Sequence, residues 1–572
     1  MTTSYPAALD VLTNPTAGQS QVSLSHSAQH ANANDAIEAI ETRFGIGPAT
    51  PTVFEPTALT LAALQAAVTA AISTGGIVSL RRGATYAISA SPISIVSAVR
   101  IAGNGATITQ ATKNVPVFDV IADGVSIENL TLNCIAATAR TYTTVTDSLP
   151  SFRGSDAYVY GSAIWHAGNR GTFRNIKVDG WTAGVFLSDW NGAVLHSGVL
   201  MADNVVNGLR ISNTDFGVLA IGQLRPWVNN LTGTPTKQAG SPNPEHIIYW
   251  SDGDTLDASA SQQVLASNCA ANGGTSYAYQ FKGVKTGRII NCTADGSGGL
   301  LTWRACADFG AKGLTIVNAA GTGGNGVIYV EGAGTEKRLS LEDISIDLAV
   351  EDRCIRLDGD DSSMNNIRLY TNHTAAVGYN DVTINGLRNS VTNVKQFNKN
   401  SAGGGVVIAA AGGSGHTIRD IEARGALNTV VISAGVTGCT VDVDPSLTTH
   451  PGAAGFVVIP IADTIVKVRR HRLDRSAYVG TNYEWSAQTT LGLSINSTSA
   501  FTIPNPTSPA GAAGGRIELE ILNNSAGVLT FLWGTQYQFG PAWVMPAAGK
   551  RARIAFEWNA TNWQEVGRVL QT

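Results

Sequence analysis

Seven short segments share one shape. AGVFLSD, HIIYWSD, YAYQFKG, LLTWRAC, GVIYVEG, RCIRLDG and DVTINGL each run a few β-branched or aromatic residues into a turn-former. Alternating with them is a second unit in which a polar residue stands before an apolar one: IENLTL (Asn129), FRNIKV (Asn175), LEDISI (Asp343), MNNIRL (Asn366), VTNVKQ (Asn393) and IRDIEA (Asp420). The distance between units varies while the pattern inside them stays constant. Stacked coils whose turns differ in length produce that combination. A propeller would need four strands in every ~40–45 residues and a repeated blade signature, and neither is present. A solenoid over about 98–450 is therefore expected, which also resolves how 572 residues can avoid needing several separate cores.

Composition agrees. Charged residues are only 14% and glycine numbers 62, which suits a β-rich body with tight turns. The net charge is −4 and no lysine or arginine run occurs, so a nucleic-acid partner has no electrostatic footprint. The six cysteines form no CxxC pair and no disulfide framework, and several fall at apolar strand positions, so they are expected reduced and buried. No window reaches the ~18 apolar residues of a membrane span, and the N-terminus lacks the basic and apolar regions of a cleaved signal peptide. A soluble protein without membrane insertion is expected.

If the first unit forms one face of the solenoid, strand alternation turns Tyr329 and Glu331 outward in one coil and Arg356 and Asp358 outward in the next. Glu331 and Asp358 are 27 residues apart, one turn of the coil. The same rule lines up Ser188, Ser251, Lys282, Arg304, Glu331, Asp358 and Asn385, and beside them Phe186, Tyr249, Gln280, Thr302, Tyr329, Arg356 and Thr383. Neighbouring rungs lie ~4.8 Å apart, so two carboxyl groups meet with Arg304 below. Like charges so close push one proton affinity up. One protonated and one ionised carboxyl is what glycosidic cleavage needs, and ~5 Å is nearer the retaining than the inverting geometry.

The catalytic candidates are accordingly Glu331 as general acid and Asp358 as nucleophile or base, with Asp360 (and Asp361) in reserve. Lys282, Arg304 and Arg356 would bind sugar oxygens or acidic substituents. Tyr249, Tyr329 and Trp227 (with Trp190) would stack on sugar rings, and Asp252 with Asp254 forms another acid cluster. Trp250 and Trp303 fall on inward positions. His246 is a weaker candidate for a base. The competing reading is a solvated charge ladder on a β-helix wall. No calcium loop is present and no cofactor is indicated; His26 and His30, at i and i+4, lack a third metal ligand.

Three stretches carry resemblances. SLSHSAQHANANDAIEAIETRFG resembles the short N-terminal segment of many bacteriophage tail proteins, with a helix starting at Asn34 or Asp35 and stopping at Gly45. The run from Thr60, a helix followed by GGIVSLRRGATYAI, resembles the opening of pectate-lyase-like right-handed parallel β-helices, in which the helix plugs the open end of the solenoid. The last part, with five of the eleven tryptophans and strands such as GRIELEILNN and RARIAFEWN, looks like the C-terminal β-domain of phage tail fibres and spikes.

These resemblances imply an all-β tail spike or fibre. Residues 1–50 would form the attachment stalk, 51–97 the capping helix and first strands, 98–450 the parallel β-helix, and 451–572 an antiparallel β-sandwich. They imply a homotrimer on the virion, docked to the phage tail or baseplate through residues 1–50 and facing host surface polysaccharide. In that family the β-helix binds and often cuts the glycan. Three activities remain open: an endo-glycosidase depolymerase, a receptor-binding fibre that grips without cutting, and a polysaccharide lyase. The stretches 140–162 and 225–245 break the rhythm and are expected as walls rising from one face.

Overall fold

A computed structural model describes residues 51–135 (90 and 113–114 apart), 161–188, 199–237, 245–251, 260–331, 337–373, 380–400, 406–424, 428–433 and 435–443, then strands between 448 and 533 and most of 535–570. The expected N-terminal helix, His26, His30, Trp190, Asp252 and Asp254 lie outside these residues, as does nearly all of 140–162.

Helix α1 (Leu61–Thr74) opens at Thr60, whose extended backbone and side-chain hydroxyl cap the first turn, and closes on Gly75 at φ 70°. Its Leu64, Ala67, Val68 and Ala71 are buried against the first coil, so the helix covers an end that would otherwise expose the core.

Above it the chain climbs as a ladder of parallel strands. One sheet has fourteen strands in strict order from Ile93–Ile95 to Val457–Val458; the larger sheet takes most of the remaining strands and runs on into the C-terminal ones, and two pairs, Met201–Ala202 with Gln223–Leu224 and Phe501–Ile503 with Phe531–Trp533, stand apart. Register is set by the inward residues. In the larger sheet Ile127, Phe173, Val206, Val228, Ala266 and Ile289 lie one above another, each fully or nearly fully buried. In the fourteen-stranded sheet Trp250, Phe281, Trp303 and Val330 do the same, and both tryptophans point inward as alternation requires. Each such side chain contributes roughly 1.5–3 kcal/mol of burial, and a slip by one residue would turn the whole column to solvent.

The recurring polar residue has a conformational reason. Asn129, Asn175, Asp343, Asn366, Asn393 and Asp420 all have φ between 51° and 59°. Each is a single left-handed pivot that bends a rung of the larger sheet, a conformation asparagine and aspartate tolerate better than other non-glycine residues. The pivots bond vertically: Asn175 Nδ2 donates to Asn129 Oδ1 at 3.2 Å and Asn366 Nδ2 to Asp343 Oδ1 at 2.6 Å.

Within the stretch 225–245, whose residues 238–244 lie outside the described ones, residues 225–237 depart from the expectation. Trp227–Asn229 and Thr232–Pro235 are ordinary rungs of the larger sheet, paired with the coils on either side. Pro226, Gly233 and Pro235 disguise them, and Asn230, at φ 52°, is the pivot between them. Five of the six cysteines are buried and all six are free.

At the C-terminal end the pairing changes sense. Gln488–Ile495 still pairs in parallel with Arg516–Asn523, which then pairs antiparallel with Arg551–Trp558, and that with Trp563–Leu570. The last hairpin turns where Asn559 Oδ1 accepts from the amides of Thr561 and Asn562 at 3.0 and 2.8 Å. An aromatic group of Trp533, Tyr537, Phe539, Trp543 and Phe556 gives this β-sandwich-like segment its own core.

Candidate functional site

The outer face of the fourteen-stranded sheet divides along its length. Trp165, Phe186 and Leu219 occupy successive outward positions yet are buried, packed with Phe216 and Ile221 against Leu200. The next rungs along the column carry Tyr249, Gln280, Thr302, Tyr329, Arg356 and Thr383. Two residues further along each strand come Ser251, Lys282, Arg304 and Glu331 in register. An apolar ledge thus gives way to a polar, charged surface.

Asp358 follows directly on Leu357, whose register partner Val330 precedes Glu331, so the two acids occupy neighbouring rungs ~4.8 Å apart. Two arginines are interleaved with them. Arg304 Nη1 lies 3.0 Å from Glu331 Oε1, and Arg356 Nε lies 2.8 Å from Asp358 Oδ2. Asn385 donates from Nδ2 to the other oxygen of Asp358. The Asp358 side chain is only 9% exposed against 36% for Glu331, so one acid is fixed from both sides and the other stands out into solvent.

Tyr329 marks the centre. The Arg356 guanidinium sits 5.2 Å over its ring. Burial raises the Tyr329 hydroxyl above its ordinary value; Arg356 and Arg304 work against this and Glu331 and Asp358 with it. The hydroxyl of Tyr329 thus feels all four charges. Lys282 lies 6.0 Å from the Tyr249 ring and adds a positive charge that the two acid–arginine pairs leave unbalanced. Tyr277, whose hydroxyl donates to Gly326 O at 2.9 Å, floors the same region, and burial pushes its hydroxyl well up.

Other candidates are placed elsewhere. Asp360 is separated from Asp358 by Gly359, and beyond the end of the strand alternation no longer holds; its Oδ1 accepts from the Leu387 amide at 2.8 Å in the corner turn. Asp361 is paired there with Arg388 at 2.6 Å. Trp227 belongs to the larger sheet, where its indole N–H donates to Ser267 Oγ at 3.0 Å. His246 opens its strand while Glu331 closes one three rungs further along, so the two stand well apart. Its Nδ1–H donates to Tyr277 O at 2.6 Å, it lies against Phe216 and Tyr249, and burial lowers its pKa to about 4.

One buried charged group has no counterpart in the sequence reading. His373 Nε2 lies 2.5 Å from Asp381 Oδ1, and its Nδ1 lies 3.6 Å from Glu351 Oε1. No motif joins these three; only the corner between the sheets brings them together. Among the described residues no group of three or more histidine, cysteine, aspartate or glutamate side chains is placed to hold a metal ion.

No protein-family model matches the chain, and no curated protein matches it in sequence. Among solved structures it is similar to the Agl-KA catalytic domain at 16% identity and a TM-score of 0.36, covering 70% of this chain and 65% of that one. It therefore spans less than two thirds of that domain. Endo-xylogalacturonan hydrolase from Aspergillus tubingensis is similar at 13% identity and a TM-score of 0.29, covering 76% of this chain and 99% of that one. The Dettilon tailspike protein is similar at 12% identity and a TM-score of 0.32, covering 72% of this chain and 70% of that one. The parallel β-solenoid rests on the chain's own strand registers, and at these identities no activity carries over from the neighbours.

Proposed function

We propose that the charged face centred on Tyr329 binds a host surface polysaccharide and hydrolyses it internally, as the depolymerase of a phage tail spike. The observation that carries this reading is the placement of Glu331 and Asp358 on adjacent rungs around one partly buried tyrosine. Asp358, held by Arg356 and Asn385, is the fixed nucleophile or base. Glu331, more exposed and held by one arginine, is the general acid, and closing of a glycan over the face would have to free it from Arg304. Lys282 and the arginines suit sugars with acidic substituents, and Tyr249 and Tyr329 offer ring faces for stacking. Attachment to the phage tail through residues 1–50, the homotrimer and the division into four segments belong to the same proposal.

A second reading has its own support. Each acid already has a guanidinium partner, so the face could grip glycan without cutting it. The experiment is incubation of the purified protein with candidate host polysaccharides. New reducing ends, lost in Glu331→Gln and Asp358→Asn, support hydrolysis; binding with no shortened product supports a receptor fibre. An ultraviolet-absorbing unsaturated product would indicate a lyase instead.

A further inference from the structure

Several exposed arginines of the solenoid walls have a carboxylate on a neighbouring rung: Arg100 with Glu128, Arg170 with Asp123, Arg225 with Asp203, Arg338 with Asp308 and Arg388 with Asp361. Lys177 and Arg210 do not, and unlike the other exposed arginines without such a partner they stand opposite each other in one groove. Both are exposed, and they are register partners on adjacent strands of the larger sheet. Like charges directly opposed across a ladder are destabilising. Among the described residues neither has an ion-pair partner. Asp179, on the same face of the strand as Lys177, makes no ion pair with either cation; its Oδ1 accepts from Ser212 Oγ at 2.6 Å and from Asn213 Nδ2 at 2.9 Å.

The two cations line a groove of about 830 Å³, cut along the pivots of the larger sheet beside Asn129, Asn175, Asn207 and Asn230. The groove follows from the fold. Left-handed residues bend each rung at the same height, and Gly208, at φ 74°, leaves room where a Cβ would come 2.6 Å from Asn175 Oδ1. Its lining includes asparagine amides and threonine hydroxyls, which donate to and accept from neutral hydroxyl groups, beside Leu130 and Ile176. Trp227, 39% exposed, stands outside the groove lining, two residues before Asn229 and across the pivot from the two cations, its ring fixed by the bond to Ser267.

From this juxtaposition we infer that the groove is a second saccharide-binding site, distinct from the face around Tyr329, and that it takes a short stretch of anionic glycan. One carboxylate or sulfate bridges Lys177 and Arg210, whose rungs are ~4.8 Å apart. The asparagines bind ring hydroxyls, and Trp227 offers a stacking platform at the edge. Two cations are too few for a nucleic acid, whose binding grows with the number of phosphates neutralised. The site would hold the polymer away from the acid pair, and it stands whether or not that pair cleaves.

The test is titration calorimetry of the full chain with tetragalacturonate and a chondroitin-sulfate tetrasaccharide, with maltotetraose as the neutral control. At least one anionic probe should bind, and the neutral one about tenfold more weakly or not at all. Lys177→Gln with Arg210→Gln should weaken the anionic probe about tenfold, and Trp227→Ala about threefold. Because Lys282 and the arginines of the Tyr329 face would take the same probe, the groove is read as the share of binding that the Lys177/Arg210 variant loses, and release of reducing ends is followed separately, so a failure of the groove and a failure of the catalytic reading are seen apart. Absence of binding by both anionic probes at millimolar concentration overturns the inference, as does undiminished binding by the Lys177/Arg210 variant. A change in that variant's oligomeric state on size exclusion would also overturn it, because the cations would then belong to a subunit contact.

Discussion

The corner turns and the Tyr329 face are both built from arginine and carboxylate stacked rung on rung, yet the same chemistry does different things in the two places. At the corner, Asp203 and Arg225, Asp308 and Arg338, and Asp361 and Arg388 all sit at positive φ and pair in twos. The guanidinium bonded to each holds Asp203, Asp308 and Asp361 below the ordinary carboxylate range. These pairs are exposed, self-contained and have no aromatic neighbour in the pairing. On the face, Arg304, Glu331, Arg356 and Asp358 are roughly two-thirds or more covered and gather around a phenol. Pairing alone therefore says little about function; partial burial around a shared aromatic centre separates a worked surface from a solvated one.

Four measurements would sharpen or break that distinction. The largest effect is expected on the face itself: Glu331→Gln and Asp358→Asn should each lower release of reducing ends by about 100-fold or more while the thermal unfolding midpoint stays close to wild type. Loss of less than tenfold in both would make the face a binding surface only. Next, Asn366→Ala should destabilise by about 2–3 kcal/mol, combining left-handed strain with the lost bond to Asp343. Asn366→Gly should recover most of the backbone share in a denaturant titration.

The third effect is pH-dependent. Burial opposes the charged form of His373, but the carboxylates of Asp381 and Glu351 outweigh it and raise its pKa above the ordinary 6.5. The stabilisation is thus fully present below that value and is lost as pH rises through the raised one. His373→Gln should cost about 1 kcal/mol near pH ~6, and the gap to wild type should narrow by pH ~9. A gap that widens with pH would reverse the assignment. The smallest effect belongs to the corner: Asp361→Asn with Arg388→Gln should cost less than about 1 kcal/mol and leave cleavage untouched. If that variant loses activity, the contrast between corner and face fails.

The outward columns were legible in the sequence because strands such as HIIYWS and YAYQFK alternate cleanly, and alternation with one buried face leaves a single register. Lys282, Arg304 and Glu331 align on that basis alone. What the side chains then choose was not legible. Two facing acids suggest mutual repulsion, but Glu331 pairs with the guanidinium of Arg304 and Asp358 with that of Arg356, and that depends on rotamers. The polar residue of the recurring unit could be counted but not seen as a left-handed pivot, since asparagine serves equally in turns and loops. Trp227 was read with the aromatic candidates because prolines and glycines masked its strand, and the contact of His373 with Asp381 crosses a corner that no local pattern encodes.

The single-residue pivot has one further consequence. Because the bends are made at single left-handed residues, many of them asparagine or aspartate and several bonded to the pivot on the next rung, the cross-section of the tube is decided at the hinge, independently of how much chain loops out elsewhere in the coil. Segments of very different length can be exchanged on such a chassis without disturbing the vertical alignment of the walls. A lineage could thus refit what the outside touches while the scaffold underneath stays the same.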